Sequence, residues 1–163
     1  MPPLQSRKGR LRTTIIVTIT QTPFERLLLG DLPAAERLAK GNPLGVRGVV
    51  SLCTEKIQSR SPEITYVQIP MLDARPLPFD VVDEVMRGIA RNILAGCVLI
   101  HCAAGLSRSP VMAAIYFDLV GYRSFDSALE ELGRLRPIDP SPVIVKSAKE
   151  YLKMRVQEGD KWN

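Results

Sequence analysis

The sequence predicts a single α/β domain built on a central mixed sheet of four to five strands flanked by helices. Three observations carry that prediction. Short apolar runs rich in β-branched residues, Gly48–Cys53, Ile64–Ile69 and Cys97–His101, have the length of buried strands. Longer segments bearing helix-start and helix-stop residues alternate with them. A chain of 163 residues suffices for one well-buried core and is short for two.

In chain order, residues 1–12 carry Arg7, Lys8, Arg10 and Arg12 with no acid before Glu25, and read as a flexible basic arm. Ile15–Thr20 and Leu27–Leu29 are short β-prone runs. Asp31 precedes a short helix over Leu32–Lys40, with Gly41 as its stop. After the strands at 48–53 and 64–69, Asp80 caps a helix over residues 81–94, with Asp83 and Glu84 in its first turn, where the helix dipole favours acids. Cys97–His101 suits a central strand. Val111–Val120 is almost wholly apolar and implies a helix buried on most sides, ended by Gly121. Ser124–Arg136 and Ser141–Gln157 complete the helices, the second opening with Ser and Pro at the cap and first-turn positions. The folded domain spans 13–157.

Composition narrows the function classes. Hydrophobic residues are 45% and charged residues 24%, the balance of a soluble globular protein, and no apolar run reaches membrane-span length. The formal net charge is +5, which suits an anionic substrate. Of the 22 basic residues 15 are Arg dispersed along the chain, and no nucleic-acid-binding motif accompanies them. Cys53, Cys97 and Cys102 cannot all pair within one chain and lack C-x-x-C spacing, which points to a reducing compartment, the cytoplasm, and away from a metal site. No cofactor is implied, and the oligomeric state is not legible.

The segment His101-Cys102-Ala103-Ala104-Gly105-Leu106-Ser107-Arg108-Ser109 carries the chemistry. A strand ends, a loop turns and a helix starts near Arg108. Such a loop leaves the backbone N–H groups of Ala103, Ala104, Gly105, Leu106, Ser107 and Arg108 to bind a phosphate, aided by the helix N-terminus. Gly105 allows a backbone angle that larger residues resist. Arg108 offers a planar fork for two phosphate oxygens. The same positive surroundings stabilise the Cys102 thiolate, the nucleophilic form. Ser109 can donate a hydrogen bond to the sulfur when it leaves. The ring of His101 either bonds the backbone and stiffens the loop or is simply packed.

This loop resembles the active-site loop of the dual-specificity protein phosphatases, in the protein tyrosine phosphatase superfamily. Leu27–Ala35 is similar to that family's early strand-turn-helix segment, Val49–Cys53 to its core strand, and Arg136-Pro137 to the turn before its last helix. The resemblance covers residues 24–152 and implies a protein tyrosine phosphatase-like fold. It further implies a cysteine-dependent phosphatase forming a phosphocysteine intermediate, acting on phosphotyrosine and phosphoserine or phosphothreonine proteins. The family carries its catalytic acid on a loop well before the cysteine. Asp73, 29 positions before Cys102, fills that place, and Asp80 and Asp83 are better explained as helix-start residues. In some relatives a cysteine placed like Cys53 forms a reversible disulfide with the nucleophile; a buried small hydrophobe is the plainer reading.

Alternatives stay open at this point. The substrate can be a small phosphate (an inositol phosphate, a phospholipid or a nucleotide), although Ala103, Ala104 and Leu106 lack the lysines that phosphoinositide-directed relatives tend to place there. A phosphate-binding module without turnover leaves Cys102 unexplained. A redox-sensing thiol leaves Arg108 and Gly105 unexplained.

Overall fold

The computed structural model describes residues 19–24 and 26–159. The expected arm over 1–12 and most of the run Ile15–Thr20 lie outside the described residues. The elements are β1 (Thr20–Gln21), β2 (Leu27–Gly30), α1 (Leu32–Arg37), β3 (Val46–Ser51), β4 (Thr65–Gln68), α2 (Phe79–Ile93), β5 (Cys97–His101), α3 (Arg108–Leu119), α4 (Phe125–Leu135) and α5 (Pro142–Glu158). The strands form one sheet in the order β1-β2-β5-β3-β4, with β1 antiparallel to β2 and all other pairs parallel. The mixed, five-stranded α/β sheet that the sequence predicts is therefore present.

Strand periodicity divides the core between two faces. Leu27, Leu29, Val50, Val98 and Ile100 point to one side, where they meet α2, α3 and the rest of the larger core. Leu28, Val49 and Leu99 point to the other, against Ala35, Leu38, Ile57 and Ile64. Leu99 and Ile100 are 0% exposed, and complete burial of such a side chain stabilises the fold by about 2 kcal/mol. Helix α3 is buried from Ser109 to Phe117, as its apolar sequence requires. It ends at Gly121, whose φ of 72° reverses the chain at low cost.

Several boundaries differ from expectation. Strand β3 starts and ends two residues early, at Val46 and Ser51, because Asn42 clamps Val46 through two 2.8 Å bonds and a register irregularity follows it. Helix α1 stops at Arg37, after which Lys40 and Gly41 turn back to the Arg37 carbonyl. Asp80 does not cap α2. Pro78 holds the cap position without a side-chain bond and fixes the start, so Asp80 falls inside the first turn. Asp83 is no cap either: its carboxylate accepts from the Tyr151 hydroxyl at 2.7 Å and from Arg155, joining α2 to α5. Burial and then this bond to Asp83 push the Tyr151 phenol up to about 12. Asp31, Ser124 and Ser141 do occupy the N-cap positions of α1, α4 and α5.

One register positions the site. Gly30, His101, Ser51 and Gln68 sit side by side at the carboxyl ends of the four parallel strands. The segments that follow all emerge on the same edge, where open α/β sheets hold their ligands. Among the described residues no helix is long and apolar enough to cross a membrane.

Candidate active site

The loop from Cys102 to Ser107 leaves β5 and enters α3. Its base is fixed by hydrogen bonds to neighbouring strand ends: Leu52 N–H donates to the His101 carbonyl at 2.9 Å and Leu32 N–H to the Ala103 carbonyl at 3.1 Å. Among the described residues, no backbone N–H from Ala103 to Ser107 donates to another backbone carbonyl. Ser107 occupies the N-cap of α3 but makes no capping bond with its side chain. The first N–H groups of that buried helix are thus left for an anion.

Gly105 has φ of 70°, and a Cβ there would lie 2.7 Å from the Gly30 carbonyl oxygen and 2.6 Å from Arg136 Nη2. The loop therefore rests directly on the β2–α1 turn and on the buried guanidinium of Arg136. Spacing alone gives no sign of this positive charge beneath the loop.

Cys102 is 2% exposed, and its Sγ lies 3.3 Å from Ser109 Oγ. Arg108 donates through Nη1 to the Met71 carbonyl at 3.0 Å, while its Nε is buried with no partner. An orphaned guanidinium donor in a concave loop is what an anion site needs before its ligand arrives. Asp73 is brought to the same place. Its Oδ1 accepts from the Ser107 hydroxyl at 2.9 Å and from the Ala74 N–H at 2.9 Å. Ala74 has φ of 54°, a left-handed conformation that costs a non-glycine residue about 1 kcal/mol. The Ser107 hydroxyl also accepts from Ser141 N–H at 3.0 Å, so one group links the loop, the Asp73 segment and the start of α5.

Asp73, Cys102, Ala103, Ala104, Leu106, Ser107, Arg108 and Asp139 line a concavity of about 190 Å³. Every predicted residue from Cys102 to Ser109, and Asp73, is brought together in or beside it; Asp139 was not foreseen.

His101 is fully buried. Its Nδ1 lies 3.2 Å from the Cys102 carbonyl, which can only accept, so Nδ1 carries the proton. In the neutral ring Nε2 then accepts from Ser51 Oγ at 2.6 Å. Burial lowers its pKa below 6.5, partly offset by the bond to Cys102. A depressed histidine stabilises the fold above its unfolded pKa and loses that contribution as pH falls through the folded value. His101 is the only histidine, so its proton-NMR ring signal should titrate with a midpoint below 6.5. A midpoint above 6.5 would contradict this buried neutral assignment.

Of the other cysteines, Cys53 follows β3 at the same edge of the sheet as the loop, where the charge of Arg108 reaches it. Cys53 is fully buried and its thiol donates weakly to the Glu55 carbonyl at 3.7 Å. Burial, the main cause, raises its pKa. Cys97 begins β5, and all three thiols are free.

No protein-family model matches the chain. Human dual specificity protein phosphatase 14 is 32% identical over 76 residues, which cover 44% of this chain and 37% of that protein. The solved structure of DUSP15 matches with a TM-score of 0.71 at 25% identity, covering 85% of this chain and 93% of that one. The chain is similar in sequence to the dual-specificity phosphatases over part of its length and has their fold. It shares the fold of the protein tyrosine phosphatase superfamily to which they belong. The structure of PTPMT1 in complex with PI(5)P shares this fold too, with a TM-score of 0.66 at 23% identity, over 82% of this chain and 94% of that one. The chain spans 37% to 46% of the length of the curated dual-specificity and type IVA phosphatases it matches.

Proposed function

We propose that the chain hydrolyses phosphate monoesters through a phosphocysteine intermediate, with phosphotyrosine and phosphoserine or phosphothreonine proteins as substrates. The observation that carries this reading is the convergence of a nearly buried thiol, an unpartnered Arg108 Nε and a carboxylate on one small concavity.

In the proposed mechanism the phosphate occupies the loop between the free N–H groups and Arg108. The Cys102 thiolate attacks phosphorus, an S–P bond forms and the P–O bond to the leaving group breaks. Asp73 gives its proton to the departing oxygen. Water then attacks phosphorus while Asp73 takes its proton, and the S–P bond breaks to return the thiolate. Ser109, 3.3 Å from Sγ, donates a hydrogen bond to the sulfur as negative charge returns to it. The loop donors stabilise the equatorial oxygens, where most of the charge lies in both steps.

Asp73→Ala should lower the rate about 100-fold on an alkyl phosphate, whose alkoxide must be protonated. With a nitrophenyl phosphate the loss should stay within about tenfold, since that group leaves unaided. Equal losses on both substrates would remove Asp73 from the acid's role. Turnover of an aryl phosphate with phosphate trapped on Cys102 tests the activity itself. The second reading, a small phosphorylated molecule or lipid, is separated by comparing phosphopeptides with inositol phosphates and phosphoinositides. A preference of more than tenfold for the peptides supports the protein-directed reading; the reverse order replaces it.

A further inference from the structure

Charge in the concavity is arranged by depth. At the floor lie the loop N–H groups, the Arg108 guanidinium and, beneath Gly105, the buried Arg136. Two exposed carboxylates, Asp73 and Asp139, line the same concavity nearer solvent. Asp139 is held there by its own backbone, whose N–H donates to the Leu106 carbonyl at 2.7 Å. Two residues further on, Ser141 N–H is bonded to Ser107 Oγ. The 139–141 segment is therefore tied to the phosphate loop at two points, which fixes Asp139 in the wall of the pocket.

From this arrangement we infer that Asp139 is a specificity-determining residue that admits one phosphate and selects for a cationic neighbour beside it. The inference rests on the proposed phosphate site and specifies which phosphate esters it takes. A single phosphate descends to the positive floor. A second phosphate or a carboxylate on the same substrate stays at the level of Asp139 and is repelled, whereas an Arg or Lys there is attracted. The neutral side chains Ala103, Ala104 and Leu106 provide no opposing cation. The substrate class is an isolated phosphomonoester flanked by basic residues; vicinal bisphosphates and acidic phosphopeptides are disfavoured.

The test uses peptides carrying one phosphotyrosine flanked on both sides by Arg or by Glu, with binding measured by calorimetry on the Cys102→Ser protein so that turnover is not needed. The Arg-flanked peptide should bind about tenfold tighter at low salt. That ratio should shrink in 0.5 M NaCl, because the discrimination is between partly exposed charges. Adding Asp139→Asn should reduce the ratio at least fivefold, Asp139→Lys should invert it, and Asp139→Glu should preserve it. A ratio unmoved by Asn and Lys, or lost equally with Glu, overturns the inference. Aryl phosphate turnover by the wild type reports separately on the enzymatic reading. Turnover with an unmoved ratio rejects the role of Asp139 alone. Discrimination without turnover rejects the enzyme and leaves the selective site. Absence of both removes both.

Discussion

Cys102→Ser is expected to lower aryl phosphate hydrolysis by about 10⁴-fold or more, while inorganic phosphate still binds within about threefold of its wild-type affinity. The two effects separate because different atoms carry them. A serine hydroxyl at this position is protonated and a far weaker nucleophile than a thiolate, so no S–P bond forms and the first step has no substitute. Binding depends instead on the loop N–H groups and on Arg108, whose donation to Met71 leaves Nε available. The substitution is small and its neighbour Ser109 can satisfy the new hydroxyl. Steady-state kinetics and phosphate titration check both halves. Activity above a few per cent of wild type would require another nucleophile. Loss of binding along with activity would show the sulfur to be part of the cradle's architecture.

Gly105→Ala is expected to have the second largest effect, through geometry alone. The added methyl meets the Gly30 carbonyl at 2.7 Å, a backbone atom that cannot rotate away, and the Arg136 guanidinium at 2.6 Å. The positive φ adds about 1 kcal/mol for any residue with a Cβ. Relief requires the loop to lift from the β2–α1 turn, and stability should fall by about 3 kcal/mol, the range of an overpacked site. Activity should drop at least 100-fold, since displacing donors by a fraction of an ångström spoils their aim at the phosphate. Thermal melting and aryl phosphate kinetics provide the check. A variant with wild-type melting temperature and turnover would mean that the loop does not need this close seat.

Local chemistry made much of this legible in advance. Cys97–His101 reads as a strand because five consecutive apolar or half-apolar residues have no other place to go, and β5 has those bounds. The α3 helix is buried all round, as an apolar run bounded by Gly121 demands. The family resemblance points to Asp73, and the structure seats it against Ser107. Errors fell where distant residues decide. Asp80 looks like a cap in isolation, yet Pro78 sets the start of α2; the ring of Phe79 packs edge-on against Tyr151, 5.5 Å away. Asp83 looks like a dipole-stabilising acid, yet it serves Tyr151 and Arg155, far along the chain. Asp139 joins the pocket only because the α4–α5 turn is bonded to Leu106 and Ser107, and no periodicity encodes that contact. Arg136 reads in the sequence as part of a turn, and the seat it provides under Gly105 arises only in the fold.

The alignment of Gly30, His101, Ser51 and Gln68 at one level has a practical corollary. The nucleophile, the loop donors and Asp73 all follow strands that end at that rim, and among the described residues the opposite rim, around Gly45 and the Ala95-Gly96 turn, carries connections. A fluorophore, biotin or fused partner attached at that far side would sit a full strand length, about 17 Å, from the phosphate loop. Tethered to a sensor chip through that side, the molecule would present its pocket outward with the loop's seat undisturbed.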